Sequence, residues 1–235
     1  MSEIAVVTGG GSGVGRAVAH QLAAIGWRVA VVGRTEASLE ETIRTSARPE
    51  QFLACPCDVS IADEVAAMAD RVRSNLGDPT ALVNCAGTNI VDRQLEVLSP
   101  ADWQQLIDTN LTGTFLCVHA FLPAMRRMGR GTIVNVISDA GLRANATAGA
   151  AYVASKFGMA GLTQSINAEH RAHGVRACGV FPGEINTPLL DKRPSPPPQE
   201  KRMQMLQADD VAACVLLAIT LPPRAVVEQL LVMPR

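Results

Sequence analysis

The segment IAVVTGGGSGVGRAVAHQLAAIG, residues 4–26, decides the fold. It runs without interruption from an apolar β-branched stretch through a glycine cluster into an amphipathic helix. Val18, Leu22 and Ile25 recur at helical spacing, and Gly26 follows as the natural terminator. The cluster itself, TGGGSGVG at 8–15, has the spacing T-G-x-x-x-G-x-G. Strand, glycine loop and helix in this order let the backbone turn tightly at Gly9 and approach a pyrophosphate at Gly13. Gly15 then permits helix to pack on sheet, and the helix N–H groups and dipole face the negative charge. Glycines also mark ordinary turns, and the spacing departs from G-x-G-x-x-G. The Lys-Ser/Thr pair of a triphosphate-binding loop is missing, which leaves a dinucleotide as the expected ligand.

Outward from this segment the same alternation continues. Residues 4–8, 28–32, 51–55, 81–84, 132–137, 175–181 and 226–232 read as strands, most of them too uniformly apolar for a sheet with one wet face. Amphipathic stretches lie between them. One is ADEVAAMADRVRSNLG, with Ser60 as expected N-cap, Val65, Met68 and Val72 on one face, and Gly77 as the stop. Seven strands alternating with about six long helices predict an α/β fold: a doubly wound parallel sheet in a single domain over residues 1–235. The segment DKRPSPPPQEKR, 191–202, breaks the rhythm with four prolines. Prolines exclude a helix interior and a central strand, so a long surface connection is expected, either a lid over a site (188–207) or a solvated linker.

The bulk composition excludes several functions. A net charge of −1 with 18% charged residues offers no field to gather nucleic acid or anionic lipid. No apolar run approaches the ~20 residues of a membrane span, and the start lacks the features of a secretory signal, so a cytoplasmic location is expected. Six cysteines sit mostly in apolar segments and read as reduced core residues. Cys55 and Cys57 in CPCD have no second Cys/His pair at ligand spacing, so no metal site is expected.

An acidic residue at the end of the second strand would bond a ribose 2′-OH, but the sequence reads VVGRTE, with Gly33 in that place and Arg34 after it. A guanidinium there can pair with a 2′-phosphate, which favours NADP(H) over NAD(H). The alternative is a solvated arginine before a helix capped by Thr35. The only tyrosine of the chain, Tyr152, stands four positions before Lys156 in AAYVASKFG. On a helix those two share a face, and a neighbouring ammonium would lower the phenol from its usual value of about 10 into a range usable for acid/base work. The alternative is an amphipathic tyrosine packed at a helix start. Ser138, at the end of the strand in GTIVNVISDAG, can hydrogen-bond a substrate oxygen or simply cap the following loop.

With these motifs the whole chain resembles the short-chain dehydrogenases/reductases, in their single-domain Rossmann-like branch. The motifs occur in order: TGGGSGVG, Asp58 in CDVS, NCAG at 84–87, Asn110 in DTNLTG, Ser138, Tyr152 with Lys156, and PGEINTP at 182–188. The resemblance implies that Gly9, Ser12, Gly13, Val14 and Gly15 hold the cofactor phosphates, and that Asp58 receives the adenine amino group with Val59 in support. It implies that Asn84, Ala86 and Gly87 line the adenosine ribose side and steady the sheet, and that Asn110 holds a water linking Lys156 to solvent. Pro182 and Gly183 would shape the turn that brings Ile185 and Thr187 to the carboxamide. Read without the family, Asp58 is a helix-capping turn, and Asn84 and Asn110 satisfy backbone groups. The chain departs from the family pattern in four places. Ser138 is the only hydroxyl at its strand end, Cys85 replaces an asparagine, the Ser138–Tyr152 spacing is one residue longer than the family's commonest, and the ending VEQLLVMPR lacks the usual glycine-rich close.

The implied activity is hydride transfer between NADP(H) and a carbonyl compound or secondary alcohol. Ser138 would position the oxygen, Tyr152 transfer the proton, and Lys156 anchor the ribose. A dinucleotide-sensing regulator would have no chemical need for that set. A sugar-nucleotide epimerase or dehydratase would need more chain after the PG motif than the roughly fifty residues present. Helices 101–128 and 151–172 resemble those that pair in family tetramers, so a homotetramer or homodimer is expected.

Overall fold

The computed structural model describes residues 3–235. The chain begins with β1 (Ile4–Thr8), α1 (Gly13–Ala24), β2 (Arg28–Gly33), α2 (Glu36–Arg44), β3 (Phe52–Pro56), α3 (Ala62–Asn75) and β4 (Ala81–Asn84). It continues with α4 (Pro100–Ile107), a π-turn at Asp108–Thr112, α5 (Gly113–Met128), β5 (Gly131–Val136), α6 (Ala150–His170) and β6 (Val175–Pro182). The last elements are a short α7 (Gln199–Met203), α8 (Ala208–Thr220) and β7 (Gln229–Val232). All neighbouring strands pair in parallel, in the order β3-β2-β1-β4-β5-β6-β7.

Successive strand residues feed opposite faces, which is why the strands read as unbroken apolar runs. Val7, Val31, Val83, Val134 and Val180 pack with Val18 and Leu22 of α1 and Val211 and Val215 of α8. Val6, Val32, Leu82 and Ile133 pack on the other side with Met68 of α3, Phe121 and Met125 of α5, and Ile166 of α6. Cys55 and Cys57 belong to this second core, and burial pushes their thiols up to about 11 and about 12, so they are packed rather than reactive. The strand order reverses direction between β1 and β4, and in such sheets the ligand crevice opens at the carboxyl ends of the strands at that switch. Among the described residues no helix is long and apolar enough to cross a membrane.

Three local expectations are corrected. β7 starts at Gln229 rather than 226. The Arg176 guanidinium gathers the carbonyls of Ile219, Leu221, Pro222 and Ala225, holding the preceding chain in a loop. Ser60 does not cap α3; Ile61 occupies the N-cap, and the Ser60 hydroxyl donates instead to Asp58 Oδ1 at 2.7 Å. The proline segment contains α7, which begins directly after Pro198 at its N-cap, so the prolines stay outside the helix. The two ends of this excursion are tied together: Leu206 N–H donates to the Glu184 carbonyl and Asn186 N–H to that of Leu206.

Candidate active site

One cleft of about 470 Å³ opens along the carboxyl ends of the strands. Its floor is the turn between β1 and α1. Gly9 has φ +65° and its Cβ would stand 2.9 Å from the Cys85 and Ala86 backbone, while a Cβ on Gly15 would stand 2.2 Å from the Gly9 carbonyl oxygen. These glycines exist because two backbones and a helix meet there. Gly13, at φ +50°, faces Thr187 across the cleft, where a Cβ would come within 3.3 Å of the threonine methyl. Ser12, the α1 N-cap, makes no side-chain capping bond, so the first N–H groups of the helix remain open to an anion. The open helix end and the glycine-lined floor fit a dinucleotide pyrophosphate.

Gly9, Ser12, Gly13, Val14, Gly15, Gly87, Ser138, Tyr152, Lys156, Pro182, Gly183, Ile185 and Thr187 all line this cleft. The C-terminal tail braces its far wall, with Gly183 N–H donating to the Val232 carbonyl and Pro234 and Met233 packed on Gly183.

The remaining sequence-derived residues lie off the cleft. Arg34 is 63% exposed at the end of β2, with Nη1 3.8 Å from Asp58 Oδ2. Asp58 Oδ1 accepts from the Ser60 N–H and hydroxyl, so the turn-forming role is realised on one oxygen while the other faces Arg34. Burial would raise the Asp58 carboxyl, but the Ser60 bonds and the Arg34 charge outweigh it and hold it below its usual range. Val59 packs against Gly113 at the start of α5. Ala86 donates its N–H to the Thr8 hydroxyl at 3.1 Å, which fixes the glycine loop against the strand-end turn.

Asn84 and Asn110 are both buried. The Asn84 amide donates to Asn135 Oδ1 at 2.9 Å, and Asn135 donates to the Thr163 hydroxyl, so a polar chain ties β4 and β5 to α6. The Asn84 side chain therefore steadies the sheet. Asn110 lies in the π-turn; its Oδ1 accepts from Thr88 N–H at 2.8 Å, and its amide donates to the Thr88 carbonyl and the Ser155 hydroxyl. With both amide hydrogens engaged, the side chain clamps the loop after β4 beside Lys156.

Tyr152 and Lys156 share a face of α6, and the ammonium lies 5.5 Å from the phenol ring centroid. The Lys156 Nζ donates to the Val136 carbonyl at 3.2 Å and contacts Met159 Sδ at 3.4 Å. Burial pushes this lysine down to about 8. The expected acidification of the phenol by Lys156 is not what the structure shows. Burial pushes Tyr152 up to about 12; Ser138, Arg93 and Arg193 favour the phenolate, and Asp139 opposes them. The physical reason is burial, which outweighs the charges around the phenol, while the Lys156 ammonium lies over the ring. Ser138 donates to Asp139 Oδ1 at 2.8 Å and accepts from Ala140 N–H.

The sequence reading missed Asn89, Arg93, Asp139, Glu184 and Arg193, all on the cleft wall. They come from loops with no periodicity, and the one available signal was charge beside the motifs already recognised, Glu184 within PGEINTP and Asp139 after Ser138.

The sequence profile described as short chain dehydrogenase matches residues 3–197. The chain is 39% identical over 193 residues to the short-chain reductase protein NovJ of Streptomyces niveus, covering 80% of this chain and 71% of that protein. A metagenomic short-chain oxidoreductase solved in complex with NADP is 34% identical, with a TM-score of 0.83, 99% of this chain and 97% of that one being covered. A variant of the actinorhodin polyketide ketoreductase solved with NADPH is 29% identical with a TM-score of 0.90, over 99% and 96% of the two chains.

Proposed function

The chain belongs to the short-chain dehydrogenase family, and from that premise we propose that it is an NADP(H)-dependent carbonyl reductase or alcohol dehydrogenase with Tyr152 as general acid/base. The observation that carries this reading is the meeting of Ser138, Tyr152 and Lys156 in one cleft floored by the α1 glycine loop. A nicotinamide held in this cleft would supply the hydride chemistry for a carbonyl carbon. The chain's own residues do the rest. Ser138 turns its hydroxyl from Asp139 to the substrate oxygen. Tyr152 gives its proton to that oxygen as it gains charge, and Lys156 holds the ribose with the N–H not directed at Val136 or Met159. The phenol, pushed up to about 12 by burial, is protonated at neutral pH and can act as the proton donor.

Arg34 supports NADP(H) over NAD(H), because its exposed guanidinium can leave a loose contact with Asp58 for a 2′-phosphate. Arg34→Ala is expected to weaken NADPH binding roughly tenfold while leaving NADH affinity unchanged. Fluorescence titration with each nucleotide checks this, and equal losses for both would remove the basis for the preference.

The whole chain, 1–235, serves in this reading as one nucleotide-binding domain in the cytoplasm, with 188–207 as the substrate lid. Exposed Trp103, Phe115 and Phe157 on α4, α5 and α6 support a homotetramer or homodimer, which sizing chromatography with light scattering tests.

A further inference from the structure

We infer that the substrate end of the cleft is a carboxylate site built on Arg93, with Arg193 beside it, so that the compound reduced is an oxo acid. This rests on the reductase reading and adds the substrate class to it. Arg93 is 4% exposed, and among the described residues its hydrogen bonds run only to main-chain carbonyls, those of Thr147 and Lys192. Its Nε is buried with no partner. A guanidinium withdrawn from water without an anion is costly, and the geometry that relieves it is a carboxylate meeting the planar fork on two N–H groups.

The surroundings supply no such anion. Glu184 is taken by Arg193 at 2.7 Å, and Asp139 accepts from the Ser138 hydroxyl and the Ala140 N–H. Arg93, Arg193 and Lys156 therefore face two carboxylates, both engaged, on the wall of one cleft. Burial first and the Arg193 charge second hold Arg93 below its usual value, a conflict that one added negative charge resolves. The seat is specific. Gly149, at φ +82°, precedes α6, and a Cβ there would come 2.6 Å from the Arg93 Cβ. Arg93 thus stands where the loop after β4, the turn before Tyr152 and the lid converge. A brace between the Thr147 and Lys192 carbonyls accounts for the two terminal nitrogens and leaves Nε unexplained.

The test is NADPH oxidation with straight-chain oxo acids of graded length, each paired with its methyl ester and with the matching phosphonate. It is run on the wild type, Arg93→Gln, Arg93→Lys and Arg193→Gln, with NADPH affinity measured on each protein. The wild type is expected to prefer acid over ester roughly tenfold or more in kcat/KM. Arg93→Gln should lose that preference through KM with NADPH affinity unchanged, Arg93→Lys should recover part of it, and Arg193→Gln should show a smaller loss should Arg93→Gln fail to fold. Esters reduced as well as acids by the wild type would overturn the carboxylate site and leave the reductase reading standing, and so would a preference for phosphonates. Where NADPH binds but turnover is too slow to rank substrates, calorimetry of the acids and esters with the NADP+ complex decides. Tighter binding of acids, lost in Arg93→Gln, upholds the site, and equal or no binding overturns it. Failure to bind NADPH at all would instead defeat the reading beneath.

Discussion

Tyr152→Phe is expected to lower the turnover of carbonyl substrates by roughly 1000-fold, with the Kd for NADPH unchanged. The phenol hydroxyl lines the cleft with Ser138, and removing it leaves ring, packing and the lysine contact in place. The ring carries the ammonium contact at 5.5 Å, which phenylalanine keeps, so Lys156 and the cofactor ribose site should be undisturbed. The loss should therefore appear in kcat and kcat/KM together, the signature of an interaction made in the transition state. Single-turnover measurement of NADPH oxidation separates this from slow product release. Substantial remaining activity would assign the proton to another group.

A second large effect is expected from Gly15→Ala. The added methyl carbon would lie 2.2 Å from the Gly9 carbonyl oxygen and 2.6 Å from its carbon, and neither atom is the movable end of a side chain. The first turn of α1 must then lift from β1, which takes its N–H groups off the pyrophosphate line. Overpacking of this kind costs about 3 kcal/mol or more of stability, and NADPH binding should become undetectable by fluorescence titration. Gly11→Ala is the matched control: its Cβ would meet the Ser38 side chain at 3.0 Å, a small shift away from tolerance. Binding retained in Gly15→Ala would mean that this turn does not hold the cofactor.

Much of this architecture could be read before any coordinates, because a parallel sheet buried on both faces writes itself as β-branched runs. Val6 and Val7 each enter a different core, and the buried polar residues that do occur, such as Asn84 and Asn135, are hydrogen-bonded to each other. Gly9 and Gly15 of the first turn were legible because each answers a close approach of backbone to backbone. What failed to appear were effects of distance and burial. Arg176, remote in sequence from β7, delays that strand by binding four carbonyls. The pairing of Arg34 with Asp58 joins the ends of two strands that no spacing rule connects. Arg93 sits in an aperiodic loop, where an arginine reads as solvated until the fold buries it. The tyrosine's position was legible and its ionisation was not. Helical spacing places Lys156 on the right face, but whether the ammonium sits at the oxygen or over the ring is set by the Val136 carbonyl that holds it.

Tyr152 is the only tyrosine, so its ionisation can be followed alone by ultraviolet difference titration, with Tyr152→Phe as the blank. The free protein is expected to titrate well above free tyrosine, towards about 12. Saturation with NADP+, whose pyridinium brings a positive charge to the same cleft, should lower the midpoint by roughly one unit or more. A midpoint that stays put or rises when NADP+ binds would contradict proton exchange through this phenol.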